Sequence, residues 1–514
     1  MSKQLIGIID IGSTTARLKL FELGNKAKPK EIETVRSYIE LGSKSFVAGK
    51  IMPDEVDELC ECLTLFRSKC KEYRVKNVIC VATSALRDAS NRDVVLEQIK
   101  VRTGFDIKVL DNSMERFYHN LSVKESLASE VGIGIFDEGT MMLDIGADSM
   151  QASVYDKGEL VFSQNTVLGS LRISGLLSDI SNRTTHYEEV LEEFINQDLD
   201  DYHAVEPKGI TYRNLIAFGG DIGFIKQLAG YKPYENVVMT KKEFSKVYDY
   251  LLKARPSDIT LERNVPSFIS PLLLPTALII RNMLEYTTLD KIIMPNASLS
   301  DGVAYMHAAT SFGYELAKNP EDELLSAAKN IAKRFKSSKK HINFVETVSL
   351  QLFDSTSKYN GLGARERLLL RVSAILHEIG KYVNARNHND SALFLIKYAE
   401  LIGLDKIELD TIGLVVRLYP LANPYSDGFY ATLDSKRKVL VSKLTAILRI
   451  ADALDSSHKN KSDDIQMSME DETLTIKIDT SEDMSFEKWS FDHRSKLLEE
   501  VLGIKVKLKI RRKL

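Results

Sequence analysis

No stretch of the 514-residue sequence approaches the ~20 consecutive apolar residues that span a bilayer, so a membrane-embedded chain is not expected. The opening Met1-Ser-Lys-Gln-Leu runs straight into a short strand-like segment. It lacks the apolar core and small-residue cleavage site of a signal peptide. Cysteine is scarce: Cys60, Cys62, Cys70 and Cys80 fall in one short segment with no Cys-x-x-Cys pair. That pattern points to free thiols in a reducing cytoplasm rather than to disulfides or a zinc site. Charge of one sign is lacking too. The net charge of −3 gives no general electrostatic grip on nucleic acid, and no specific nucleic-acid partner is expected. Low-complexity tracts and long linkers are absent.

What is present is an ordinary globular composition, 44% hydrophobic and 27% charged, on a chain too long for one core. Leu5–Asp10 and Ala16–Phe21 flank a Gly/Ser/Thr turn and predict a β-hairpin. Val56, Leu59, Leu63 and Phe66 give helical spacing over Pro53–Tyr73, followed by strands at Asn77–Ala82 and Ile107–Leu110 and a helix at Arg116–Glu130. Met141–Ile145 and Gln151–Tyr155 predict a second hairpin. Its Asp144-Ile-Gly-Ala turn echoes Asp10-Ile-Gly-Ser and points to an internal duplication. From about Ser311 to Ser457 helical patterns dominate: Ser326–Lys336, His341–Phe353, Arg365–Glu378 and Val441–Leu454. The last part predicts strands at Leu474–Ile478 and Val506–Ile510 around a helix at His493–Leu502.

Each Asp-Ile-Gly turn brings a carboxylate, backbone N–H groups and hydroxyls together, with Gly allowing close backbone approach. Such a turn can cradle phosphate, and a facing pair makes a two-sided clamp. Asp10-Ile-Gly-Ser-Thr-Thr-Ala-Arg-Leu, Val81-Ala-Thr-Ser-Ala-Leu-Arg-Asp-Ala-Ser-Asn91, Glu115, Asp144-Ile-Gly, Val167-Leu-Gly-Ser-Leu-Arg172, Leu215-Ile-Ala-Phe-Gly-Gly220 and Arg449-Ile-Ala-Asp-Ala-Leu-Asp455 follow in that order. In order and spacing they resemble the Ppx/GppA phosphatase family along nearly the whole chain.

The resemblance implies an α/β fold: two ribonuclease-H/actin-like lobes (1–125 and 126–310), an HD-type all-helical domain (311–460) and a small C-terminal α+β segment (461–514). It implies removal of terminal phosphate from inorganic polyphosphate or from pppGpp, usually with Mg²⁺ (Mn²⁺ being possible), by a cytoplasmic homodimer. A non-catalytic polyphosphate- or ppGpp-binding relative remains the alternative. An actin-like ATPase is weaker, since nothing clearly provides an adenosine pocket. Carried over by position, Glu115 activates the attacking water and Asp144 binds Mg²⁺ or orients that water. Asp10, Gly12, Ser13, Thr14, Arg87, Gly146, Ser149, Arg172, Gly219 and Gly220 contact phosphate, and Lys333, Arg334, Lys336, Lys339 and Lys340 line a polyphosphate channel. From the residues alone, each Asp also suits a hairpin-turn cap, Arg87 a surface salt bridge and Glu115 a solvated carboxylate. Lys333–Lys340 also suits a solvated helix face, and the basic Lys507–Lys513 a charged strand face.

Several positions depart from the family pattern. The second turn reads Asp144-Ile-Gly-Ala-Asp-Ser-Met-Gln151, where Asp-Ile-Gly-Gly-Gly-Ser-Thr-Glu is typical. Two like charges ~4 Å apart repel by about 4 kcal/mol at an effective dielectric near 20. Falling wholly on the transition state, that is roughly three decades in rate. Asp148 therefore has to hold a cation, as a metal ligand, or point out of the cleft. Asp221 poses the same problem in the third turn, and Ser113-Met114-Glu115-Arg116 replaces a more acidic run. In the helical domain His341, His377-Glu378, His388 and Asp452 stand where metal-binding domains of HD type carry ligands, but Asn389-Asp390 occupy the later region. A mixed His/carboxylate set can hold Mg²⁺ or Mn²⁺. We expect His377 and Glu378 to serve helix packing and hydrogen bonding instead.

Overall fold

In the computed structural model, residues 3–181, 183–184 and 186–512 are described; Lys513, at the end of the basic tail, lies outside them. The described chain forms two compact units, Met1–Glu323 and Leu324–Leu514.

The first unit holds two sheets of one design. β1 (Gln4–Ile11), β2 (Thr15–Leu23), β3 (Lys30–Tyr38), β4 (Asn77–Ala82) and β5 (Ile107–Val109) lie in the order β3-β2-β1-β4-β5. β6 (Thr140–Ile145), β7 (Met150–Asp156), β8 (Glu159–Thr166), β9 (Asn214–Gly219), β10 (Val237–Thr240) and β11 (Lys291–Met294) lie in the order β10-β11-β9-β6-β7-β8. In each, an antiparallel meander of three strands meets parallel strands beyond its first member. The registers coincide: Asp10 faces Arg17 and Val81 across its neighbours, and Asp144 faces Gln151 and Phe218. Both turns close alike, Gly12 N–H donating to Thr15 O at 2.8 Å and Gly146 N–H to Ser149 O at 3.0 Å. The duplication expected from the two Asp-Ile-Gly turns is thus present in topology and register.

β1 and β6 are nearly continuous apolar runs because helices cover both faces of each sheet. One face of the first sheet packs on helix Pro53–Glu72 through Leu59, Leu63 and Phe66. Its other face packs on Val303, Ala304, Ala308 and Phe312 of helix Leu299–Phe312. That helix falls in the segment expected to complete the second lobe at residue 310, so the first lobe is discontinuous in sequence. The reason is apolar: Ile6, Ile8, Phe21 and Leu23 need a cover that residues 1–125 do not supply. The sequence reading also passed over β3, whose residues are mostly half-exposed and weakly alternating.

In the second unit, helices Lys339–Ser355, Ala364–Leu376, Lys406–Leu418 and Ser435–Ala453 pack together, the last buried on nearly all sides from Leu444 to Ala453. β12 (Asp464–Glu470), β13 (Thr473–Thr480) and β14 (Lys505–Arg512) form a three-stranded sheet. The helices between its strands pack on Ser435–Ala453, so 461–512 shares a unit with the preceding helices instead of standing apart. The expected helix His493–Leu502 is two helices, Ser485–Arg494 and Lys496–Leu502. Likewise the helix expected to carry His377 and Glu378 ends at Leu376. Lys333, Arg334, Lys336, Lys339 and Lys340 are all exposed. All four cysteines are free and buried.

Candidate active site

A cleft of about 670 Å³ in the first unit is lined by both hairpin turns: Asp10, Gly12, Ser13 and Thr14 from one, Gly146 and Ala147 from the other, with Gly219 and Gly220 from the third turn. Thr83 and Ser84 join from the start of helix Ser84–Asp88, and Ser84 Oγ lies 2.8 Å from Ser13 Oγ. Glu115 and His119 enter from helix Asn112–Ala128, whose first turn is fixed by Asp111 accepting from Met114 N–H at 2.9 Å. Four residues apart, they share one helix face.

Of the sequence-predicted residues, Asp10, Gly12, Ser13, Thr14, Glu115, Gly146, Gly219 and Gly220 meet in this cleft. Arg87, Asp144, Asp148, Ser149 and Arg172 lie behind its lining and are engaged with one another or with its walls. Arg87 Nη1 donates to Glu115 Oε2 at 2.6 Å and to Leu110 O at 3.2 Å. Arg172 holds Asp148 through Nε at 2.8 Å and Nη2 at 2.5 Å. Ser149 Oγ accepts from Arg116 at 2.9 Å. Asp144 Oδ2 accepts from His119 Nδ1 at 2.8 Å, with Arg116 Nη1 at 3.9 Å.

Asp148 does not line the cleft and is paired with Arg172. Asp144 is likewise committed to His119. Asp221 is buried and accepts from Ser170 Oγ at 2.6 Å; burial keeps its carboxyl above the ordinary range. It ties the third turn to the Val167–Arg172 segment. That segment is itself docked on the second turn, Ser170 N–H donating to Gly146 O and Arg172 N–H to Ala147 O, each at 3.1 Å. Gly169 makes the docking possible, since a Cβ there would lie 2.1 Å from the carbonyl carbon of Asp148.

Sequence reasoning missed several cleft residues, three of which carry charge onto its wall. His119 is one. Burial opposes its charge, but Asp144, then Glu115 and Asp10, outweigh burial and raise its pKa to about 9, so it is an imidazolium at neutral pH. Its signal was the i, i+4 spacing from Glu115. Arg17 and Arg36 are the others. They sit directly opposite on β2 and β3, a pairing of like charges that destabilises a sheet unless an anion joins it. Arg17 Nε is buried with no hydrogen-bond partner among the described residues, and burial followed by Arg36 holds its pKa below the ordinary arginine value. Asp10 is the matching acid. Burial raises its pKa despite Arg17 and His119, and no donor side chain bonds its carboxylate among the described residues. Its oxygens are therefore the ones that fit a hard cation such as Mg²⁺, which commonly binds one or two carboxylates together with substrate phosphates.

Lys226, also lining the cleft, is held on Glu235 O at 2.9 Å and is 2% exposed; burial pushes its amine down to about 8 from 10.5. Its charge is costlier folded than unfolded, so stability should rise as pH climbs from about 8 toward the unfolded value, by on the order of 2–3 kcal/mol. Urea unfolding between about pH 7 and 10 should show this gain in wild type relative to Lys226→Met. A difference that stays flat with pH would sink the assignment.

Comparison with known proteins places this geometry. The Ppx/GppA phosphatase family matches residues 25–311, and its domain III matches residues 325–502. A guanosine-5'-triphosphate,3'-diphosphate pyrophosphatase of Aliivibrio fischeri (strain MJ11) is 20% identical over 82% of this chain and 80% of its own length. Exopolyphosphatase 1 of Mycobacterium bovis is 25% identical over 35% of this chain and 51% of its own. The shorter matches span between 27% and 51% of the curated relatives' own length. A crystal structure of an exopolyphosphatase from Cytophaga hutchinsonii superposes with a TM-score of 0.50 at 20% identity, covering 61% of this chain and 100% of that one. With paired phosphate-type turns, shared strand order and a family match over more than half its length, the chain belongs to the Ppx/GppA phosphatase family.

Proposed function

We propose that this chain is a phosphoanhydride hydrolase that removes the terminal phosphate of inorganic polyphosphate. The observation that carries the reading is the opposed Arg17–Arg36 pair, with Arg17 Nε lacking a hydrogen-bond partner among the described residues, in a cleft walled by two phosphate-type turns. Such a site calls for an extended polyanion. The terminal phosphoryl group lies between Gly12–Thr14 and Gly146–Ala147, with turn N–H groups and the hydroxyls of Ser13 and Thr14 around its oxygens. Glu115 takes a proton from the attacking water, and the His119 imidazolium adds positive charge opposite the forming anion. Asp10, together with substrate oxygens, would hold Mg²⁺ or Mn²⁺, which when bound neutralises phosphoryl charge. Arg87 and Arg172 are each occupied by a carboxylate in the substrate-free cleft, so phosphate competes with Glu115 and Asp148 for them. Release of Glu115 by Arg87 would leave its carboxylate free to accept from the attacking water.

A 5'-phosphohydrolase acting on pppGpp is the second reading. The relative matched over most of both chains favours it, as do Tyr38, Tyr234 and Phe224 in the cleft lining. The test is phosphate release by pure protein with Mg²⁺ or Mn²⁺ from long-chain polyphosphate and from pppGpp. Faster release from polyphosphate supports the first reading, and the reverse supports the second. Tight binding without turnover of either would mark a non-catalytic phosphate-binding relative.

Asp148→Asn frees Arg172 and removes a negative charge behind the second turn. KM for polyphosphate should fall about 3–10-fold in steady-state assays at low salt, the gain shrinking as salt rises. An increase in KM would return Asp148 to the role of metal ligand.

A further inference from the structure

One buried guanidinium in the second unit is left with an unmet donor. Arg449, on helix Ser435–Ala453, is only 7% exposed. Its Nη1 donates to Leu421 O, while Nε has no hydrogen-bond partner among the described residues. Burial, and then the charge of Arg494, hold its pKa below the ordinary arginine value. A buried cationic donor without an acceptor is costly, and an anion beside it would remove that cost.

Arg449 lines a cavity of about 390 Å³ together with Lys381, Arg494, Phe486, Trp489 and His493. Asp452 is the one carboxylate among the described residues lining it, against three such cations, and it is already engaged. Arg494 bonds its Oδ2, and His341 Nε2 lies 3.3 Å from its Oδ1. Behind this lining, His377 Nδ1 donates to Ala374 O at 2.7 Å and Glu378 accepts from Lys381, so neither residue is part of the site.

The exposed part of the lining is of another kind. Helix Ser485–Arg494 places Phe486, Trp489 and His493 three and four residues apart, on one face. The Phe486 and Trp489 rings are 13° from parallel with centroids 6.0 Å apart, and the Trp489 ring lies 4.5 Å from that of His493. Phe486 is 50% and Trp489 57% exposed, which leaves apolar ring surface open to water beside the cations. Aromatic faces stack on nucleobases whatever the base, and guanidinium forks suit phosphate oxygens. The cavity volume falls in the range of sites for small ligands.

We propose that this cavity binds a nucleoside diphosphate, its base stacked on Trp489 and Phe486 and its phosphates held by Arg449 and Arg494. The site lies wholly within the second unit, so it stands or falls independently of the hydrolase reading of the cleft.

Trp489 is the sole tryptophan of the chain, so intrinsic fluorescence reports this cavity and not the catalytic cleft. The full chain is titrated with GDP and with ADP, and separately with guanosine and with inorganic pyrophosphate. Saturable quenching by at least one nucleotide is expected, with guanosine and pyrophosphate each binding about 10-fold more weakly or worse. Phe486→Ala keeps the fluorophore and should weaken nucleotide binding about 10-fold. Arg449→Met should weaken it by about 10-fold or more. Should Arg449→Met fail to fold, Phe486→Ala, at an exposed position, and the comparison with pyrophosphate still decide. Absence of quenching by either nucleotide up to about 1 mM would overturn the proposal. Pyrophosphate binding as tightly as the nucleotides would overturn it too, marking a simple anion site, as would undiminished binding by Phe486→Ala.

Discussion

Glu115→Gln should lower the turnover of polyphosphate by about 10³-fold while leaving KM within a few-fold of wild type. The side chain lies at the cleft between the two phosphate-type turns, in the first turn of a helix fixed by Asp111. Glutamine keeps the length and can still accept from Arg87, so the change removes basicity and little else. Steady-state phosphate release at several Mg²⁺ and Mn²⁺ concentrations reads the effect directly. Were turnover to stay within about 10-fold of wild type, Glu115 would not be the base. Were KM to climb instead, the carboxylate would serve chiefly to hold Arg87. Asp10→Asn should behave differently, raising the metal concentration needed for half-maximal rate, since Asp10 is the unbonded acid of the cleft.

Gly219→Ala should destabilise the first unit by about 3 kcal/mol or more, among the larger effects a single methyl can have. Gly219 closes β9 with φ +133°, a conformation L side chains rarely adopt, and an added Cβ would fall 2.0 Å from Ile145 O. Ile145 is the last residue of β6, paired with Gly219 across a parallel ladder. Relief of the clash must therefore separate two central strands just where the second and third turns meet. Gly220→Ala is the control. Its Cβ would point into open space, so it should fall within about 0.5 kcal/mol of wild type. Urea unfolding of both variants checks the contrast, and similar midpoints would remove the strain argument.

Much of the fold was legible in the sequence because it rests on local periodicity. The Asp10 and Asp144 hairpins are written as apolar runs broken by Gly-containing turns, the helices at Pro53 and His341 each bury a stripe spaced at 3.6 residues, and the helix around Val441 is a long buried run. β3 was not legible, since an edge strand with two half-exposed faces carries little alternation. The lobe boundary was missed for another reason. Helix Leu299–Phe312 reads the same whichever sheet it covers, and only the exposed apolar face of β1 and β2 selects it.

Within the candidate site, the sequence by itself determined which residues stand at the turns and that Glu115 lies beside a helix. It also determined the membership of the chain in its phosphatase family, through the order of its motifs. Only the tertiary structure decided which charges meet. Asp148 came to pair with Arg172, Asp144 with His119, and Arg17 to lie beside Arg36 within the field of Asp10. It also set His341 against His377 and Asp452, brought together from three helices far apart in the chain. The physical reason is one of range. Secondary structure follows from contacts a few residues apart, whereas the partner of a charge depends on where packing carries distant segments, and burial then makes that partner decisive.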